Sequence, residues 1–104
     1  MGTWKIVNKV SSATIPDEGK WTIPNDGLSE WTQYELSIHI DGGGNHPADI
    51  VHPDSTALES GYHIPAGGTV TIGPVHKDDF PAIRATHGEI EVYVSYAVVP
   101  EGGE

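Results

Sequence analysis

A chain of 104 residues and 11.1 kDa is one ordinary domain, and surface scaling leaves it roughly 5,700 Å² exposed out of about 16,000 Å², enough for a thin core and too little for a deep cleft between lobes. Apolar residues at 37% and charged residues at 19% fall in the globular range, while 15 acidic against 5 basic residues, a net charge of −10, disfavour nucleic acid and anionic membrane as partners. Cysteine is absent, which removes disulfides, thiolate nucleophiles and cysteine zinc sites together, and no stretch approaches the roughly 18 apolar residues that span a bilayer.

The apolar set is lopsided: ten Ile and nine Val stand against three Leu. β-Branched side chains suit pleated, half-buried strands, and 13 Gly with 8 Pro supply many turns, so the composition predicts an all-β domain.

In chain order, residues 3–10 place Trp4 and Ile6 on one face, with Asn8 breaking the alternation. Residues 20–23 form a short strand stopped by Pro24 and the turn Asn25-Asp26-Gly27, and Trp21 is in phase with Ile23. That phase points Trp4 and Trp21 to the core. Residues 31–40 alternate over a full strand length: Tyr34, Leu36, Ile38 and Ile40 on one face, Gln33, Glu35, Ser37 and His39 on the other. The turn formers Asp41-Gly42-Gly43-Gly44-Asn45 end it. Residues 48–52 halt at Pro53, 54–60 have room for one helical turn, and 61–64 and 68–75 flank a reversal at Pro65-Ala66-Gly67. Residues 82–86 lead through His87-Gly88 into the strand 89–99, a predicted hairpin. In that last strand Ile90, Val92, Val94, Tyr96 and Val98 alternate with Glu91, Tyr93, Ser95 and Ala97. About eight short strands predict a single antiparallel β-sandwich of jelly-roll type over 1–104, closed by a short acidic tail at 100–104.

Few residues invite chemistry. Six histidines (His39, His46, His52, His63, His76 and His87) are many for this length, yet no closely spaced ligand pair and no His-x-His occurs. They read as surface and loop histidines. Asp41, Asn45 and Asp49 offer oxygens suited to calcium, but without EF-hand spacing, so the loop reads as a hairpin connector. Glu89 and Glu91 share a strand face and resemble a glycosidase pair only in spacing; a solvated strand face explains them. No Gly-x-Ser-x-Gly elbow or phosphate-cradling glycine pattern is present. The sequence predicts a non-enzyme with no cofactor and no metal site. Trp31 and Tyr93 lie out of phase with the apolar positions of their strands and are the candidate interface residues. The alternative use for that pair is stacking on sugar rings, as in a carbohydrate-binding or adhesion module.

The segment Gly61-Tyr62-His63-Ile64-Pro65-Ala66-Gly67-Gly68-Thr69-Val70-Thr71-Ile72, with Gly88-Glu89-Ile90-Glu91-Val92-Tyr93-Val94 after it, resembles the closing strands of small β-sandwich accessory proteins of tailed-phage virions. The resemblance is to capsid decoration or cement proteins and covers residues 61–99. It implies an architecture and a structural role: a protein bound between subunits of a capsid or other virion lattice, reinforcing it, as a homotrimer first and a dimer second. It implies no catalytic residues. The start Met1-Gly2-Thr3-Trp4-Lys5-Ile6 alternates instead of forming an apolar signal core, so no secretory signal is predicted, and a virion protein assembled in the host cytoplasm is the expected location.

Overall fold

The computed structural model describes residues 5–54 and 61–99, with side chains described for 11–54 and 61–99. Eight strands lie among them: β1 (Lys5–Ile15), β2 (Lys20–Thr22), β3 (Gln33–Ile40), β4 (Ala48–Val51), β5 (Tyr62–Ile64), β6 (Thr69–His76), β7 (Ala82–Ala85) and β8 (Ile90–Val98), with a 3-10 turn at Lys77–Asp79. They form two four-stranded antiparallel sheets, ordered β1-β8-β3-β6 and β2-β7-β4-β5. Strand 1 pairs with 8, 2 with 7, 3 with 6 and 4 with 5, which is one long hairpin rolled upon itself. That is jelly-roll connectivity, the type expected for this sandwich. Among the described residues no helix is long and apolar enough to cross a membrane.

The sheets meet face to face because their alternating positions match. Leu36, Ile38, Ile40, Val92, Val94 and Tyr96 from the first sheet pack on Ile23, Ala48, Ile64, Ile83 and Ala85 from the second. Tyr34, Leu36, Ile38, Ile40, Ile90, Val92, Val94 and Tyr96, the positions predicted for the core on β3 and β8, are all buried, Val98 only partly so, and Trp21 is half-buried against them. Phe80, which the sequence pattern does not single out, plugs one end of the sandwich. Its ring lies 6.1 Å from Tyr34, edge to face, and 6.0 Å from Tyr96.

Several sequence expectations need correction. The first strand runs on to Ile15, because Ser11 and Ala13 take inward positions with little apolar signal. The strand predicted from Trp31 starts at Gln33. Strands β7 and β8 are no hairpin: they lie in different sheets, so His87-Gly88 is a crossing between layers. The same holds for the 41–47 loop, which carries the chain from β3 in one sheet to β4 in the other. Trp4, the helical turn foreseen in 54–60 and the tail at 100–104 fall outside the described residues, apart from Asp54 itself.

The two outer faces differ. On the second sheet the outward positions Val51, Ala82 and Arg84 are buried. Lys20 on β2 donates from Nζ to the Pro53 carbonyl, so the start of the β4–β5 connection reaches back across that face. The first sheet's outward positions on β8, Glu91, Tyr93 and Ser95, are exposed.

Candidate interaction surfaces

Trp31 is the most exposed large apolar side chain among the described residues, at 88%. It stands on the connection from β2 to β3, whose backbone is tied down on both sides of it. The Ser29 amide donates to the Tyr34 hydroxyl at 2.7 Å, and the Trp31 amide donates to Ser29 Oγ at 3.1 Å. His76 Nε2 donates to the Glu30 carbonyl at 2.9 Å, while its Nδ1 accepts the Asp78 amide at 3.1 Å. A carbonyl can only accept, so the ring holds its proton on Nε2. Asn25 Nδ2 donates to the Lys77 carbonyl at 3.0 Å, joining the same loop to the 3-10 turn. An indole left in water forgoes about 1.5–3 kcal/mol of burial. The loop thus presents a fixed apolar anchor, with exposed Asp26, Glu30, Asp78 and Asp79 on the two connections that meet there.

Tyr93 occupies a different place. It projects from the middle of β8 on the outer face of the first sheet, opposite Ser12 on one side and His39 on the other, and is 40% exposed. Its hydroxyl donates to Glu91 Oε2 at 2.8 Å, and its ring lies 6.4 Å from the His39 ring at 30°. The hydrogen bond to the Glu91 carboxylate, followed by that group's charge, raises the phenol above its ordinary value of 10.0. Gln33, beside the Trp31 loop, and His39, beside Tyr93, are six residue steps apart along β3, or about 20 Å. The two predicted interface residues therefore belong to separate surfaces.

A third exposed aromatic, Tyr62 at 60%, escapes sequence reading. Its register with Ile50 turns it toward the sandwich interior, but β5 is an edge strand, so nothing flanks it beyond. The short 65–68 connection keeps the β5 and β6 edges on one side of the molecule, and β6 ends at His76 beside the Trp31 loop.

The histidines bond to separate partners and do not cluster among the described residues. His39 bonds Thr69 Oγ1, His46 the Glu89 carbonyl, His63 the Asp49 carboxylate at 3.2 Å, and His87 Thr86 Oγ1. His52 and His76 each accept the amide two residues on, from Asp54 and Asp78. Among the described residues no three His, Asp or Glu side chains gather in a way that could hold a metal ion. Asp41 and Asp49 face different partners: Asp41 Oδ2 accepts the Gly43 amide, and Asp49 takes His63 on the second sheet. Glu89 and Glu91 border a cleft of about 110 Å³ with Asp41, Gly44, His46 and Ile90, well below the 300–1,000 Å³ typical of small-molecule pockets. Comparison with protein-family models, with curated proteins and with solved structures finds no match for this chain.

Proposed function

We propose that this protein is a non-enzymatic structural component of a virion, of the capsid decoration type, that binds between neighbouring shell subunits and reinforces the shell. The observation that carries the reading is Trp31, 88% exposed on a loop in which the Ser29 and Trp31 amides and the Glu30 carbonyl are already bonded. An anchor on an already ordered backbone loses only its own side-chain freedom on docking, where binding energy is otherwise spent on ordering the loop as well. The acidic residues flanking it suit a basic slot on the partner, and such rim pairs steer association more than they strengthen it. The resemblance of residues 61–99 to phage accessory proteins supplies the class of partner: a major capsid or other virion protein, met by a homotrimer of this chain.

A clamp gains contacts only where subunits meet, so binding should appear with the assembled shell. Purified protein added to shells lacking it should co-sediment, saturate, and raise the temperature of shell disruption. Trp31→Ala should lose at least tenfold in affinity while sharing the parent's denaturation midpoint. Equal binding to free subunits and to shells would overturn the reading.

A further inference from the structure

The outer face of the first sheet differs in chemistry from the Trp31 loop. Across the four strands one row reads Ser12, Tyr93, His39 and Thr69, each directly opposite the next. The row on one side of it reads Val10, Ser95, Ser37 and Thr71, and on the other Thr14 faces Glu91, whose carbonyl takes the amide of Asp41 at the end of β3. Four strands and three rows make a surface about 14 Å by 14 Å. It is set with hydroxyls around one pair of rings.

Three features narrow what this face can bind. The first is the absence of Lys and Arg from all of these positions, while two carboxylates, Glu91 and Asp41 at the end of β3, lie close enough for their charges to act on Tyr93. A phosphorylated, sulfated or uronate polymer would meet no countercharge here, and nucleic acid would be repelled. The second is the shortage of apolar area. Protein-interface centres are depleted in Ser and Glu and built from several apolar anchors, whereas this face is mostly Ser and Thr, with Val10 at its β1 edge and a single half-covered phenol. The third is the fixed aromatic. Tyr93 is held at its hydroxyl by Glu91 and flanked by the His39 ring, whose Nδ1 is bonded to Thr69 Oγ1 at 2.8 Å. Its exposed part is the kind of rigid apolar plane on which the C–H face of a sugar ring packs. The surrounding hydroxyls both donate and accept, as the equatorial hydroxyls of such a ring require.

We infer that this face binds a neutral polysaccharide, with Tyr93 stacking on one sugar ring and Glu91, His39 and the flanking Ser and Thr hydroxyls bonding its hydroxyls. The inference does not rest on the virion reading, because it uses other residues on another surface. The buried outward positions of the second sheet leave the first sheet as the open platform.

Native-gel affinity electrophoresis with the full chain tests it. The probes are four neutral polysaccharides (a glucan, a mannan, a galactan and a xylan) with dextran sulfate and a polyuronate as charged comparisons. At least one neutral polymer should retard the protein, with retardation unchanged from low to high salt, since no ion pair is involved. Tyr93→Ala should lose tenfold or more, and Tyr93→Phe, which keeps the ring, less. Thr69→Arg, a larger group on the same row, should abolish retardation without touching Tyr93, and it decides the matter if Tyr93→Ala is poorly folded. Trp31→Ala should bind like the parent. Retardation by none of the four neutral polymers, retardation only by the charged ones, or an unaffected Thr69→Arg would each overturn the inference.

Discussion

Tyr96, 1% exposed near the C-terminal end of β8, donates from its hydroxyl to the Pro24 carbonyl at 2.8 Å. It also meets Ser11 Oγ at 2.9 Å, and since its one proton goes to Pro24, Ser11 is the donor there. One phenol thus ties the core strand to β1 and to the connection that carries Trp31. Tyr96→Phe leaves a carbonyl and a hydroxyl with a lost partner, at a cost of about 1–3 kcal/mol. Hydrogen exchange should show the Ser29 and Trp31 amides opening faster as well. Unchanged exchange there would mean the loop is fixed by Tyr34 and His76 alone.

The same phenol sets an alkaline limit. Burial, chiefly, pushes Tyr96 above its ordinary value of 10.0; the Ser11 bond opposes this and the charge of Asp26 adds to it. A raised value in the folded state means the protein holds this proton more tightly than the unfolded chain does. Its contribution is full below pH 10 and drains away as pH rises from there through the folded-state value. The stability gap between parent and Tyr96→Phe should therefore shrink above pH 10. Urea midpoints at pH 8, 10 and 11 read it directly; a constant gap would place the alkaline loss elsewhere.

Ile38 and Val94 are register partners on neighbouring strands and both fully buried. Ile38→Ala should cost about 2–5 kcal/mol and Val94→Ala about 1–4 kcal/mol, each leaving a cavity that a thin core closes only in part. Because they touch one another's surroundings, the double variant should depart from additivity by about 0.5 kcal/mol or more. Equilibrium unfolding of the three variants supplies the cycle.

How far the sequence reached depends on what each feature needed. Tyr34 through Ile40 and Ile90 through Val98 revealed their buried face because alternation is local. Trp31, read as out of step with Leu36 and Ile38, is exposed, but it stands ahead of β3 on the connection from β2, so strand phase is not the cause. Pairing was not legible: Ser11 and Val94 meet across most of the chain, and no local signal records whether β7 and β8 share a sheet. Tyr62 is inward by register and exposed only because β5 ends its sheet, which is a property of topology and not of its neighbours in sequence. Arg84 is buried on an outward position, a case in which coverage of the sheet overrides polarity. The separation of Trp31 from Tyr93 likewise needed the register of β3, since strand phase alone places both merely outside.

Gly88 and His46 give the sharpest test of the loop end. Gly88 has φ of +124°, a backbone conformation that side-chain-bearing residues rarely adopt, and a Cβ there would run into the His46 imidazole. Its amide donates to Asp17 Oδ1 at 2.9 Å, and His46 Nδ1 bonds the Glu89 carbonyl at 3.0 Å, so the 41–47, 16–19 and 86–89 connections converge on this residue. Two separable penalties follow for Gly88→Ala. The backbone strain is about 1–3 kcal/mol, and displacement of the imidazole adds the loss of its bond to Glu89, about 0.5–1.5 kcal/mol. In His46→Ala the ring is already gone, so introducing Gly88→Ala on that background should cost only the strain. The double variant should therefore be more stable than the two single losses summed, by about the value of the displaced contact. Denaturant midpoints of the four proteins measure this. Strict additivity would show that the imidazole swings clear of an added methyl without cost and that strain alone keeps glycine at this position.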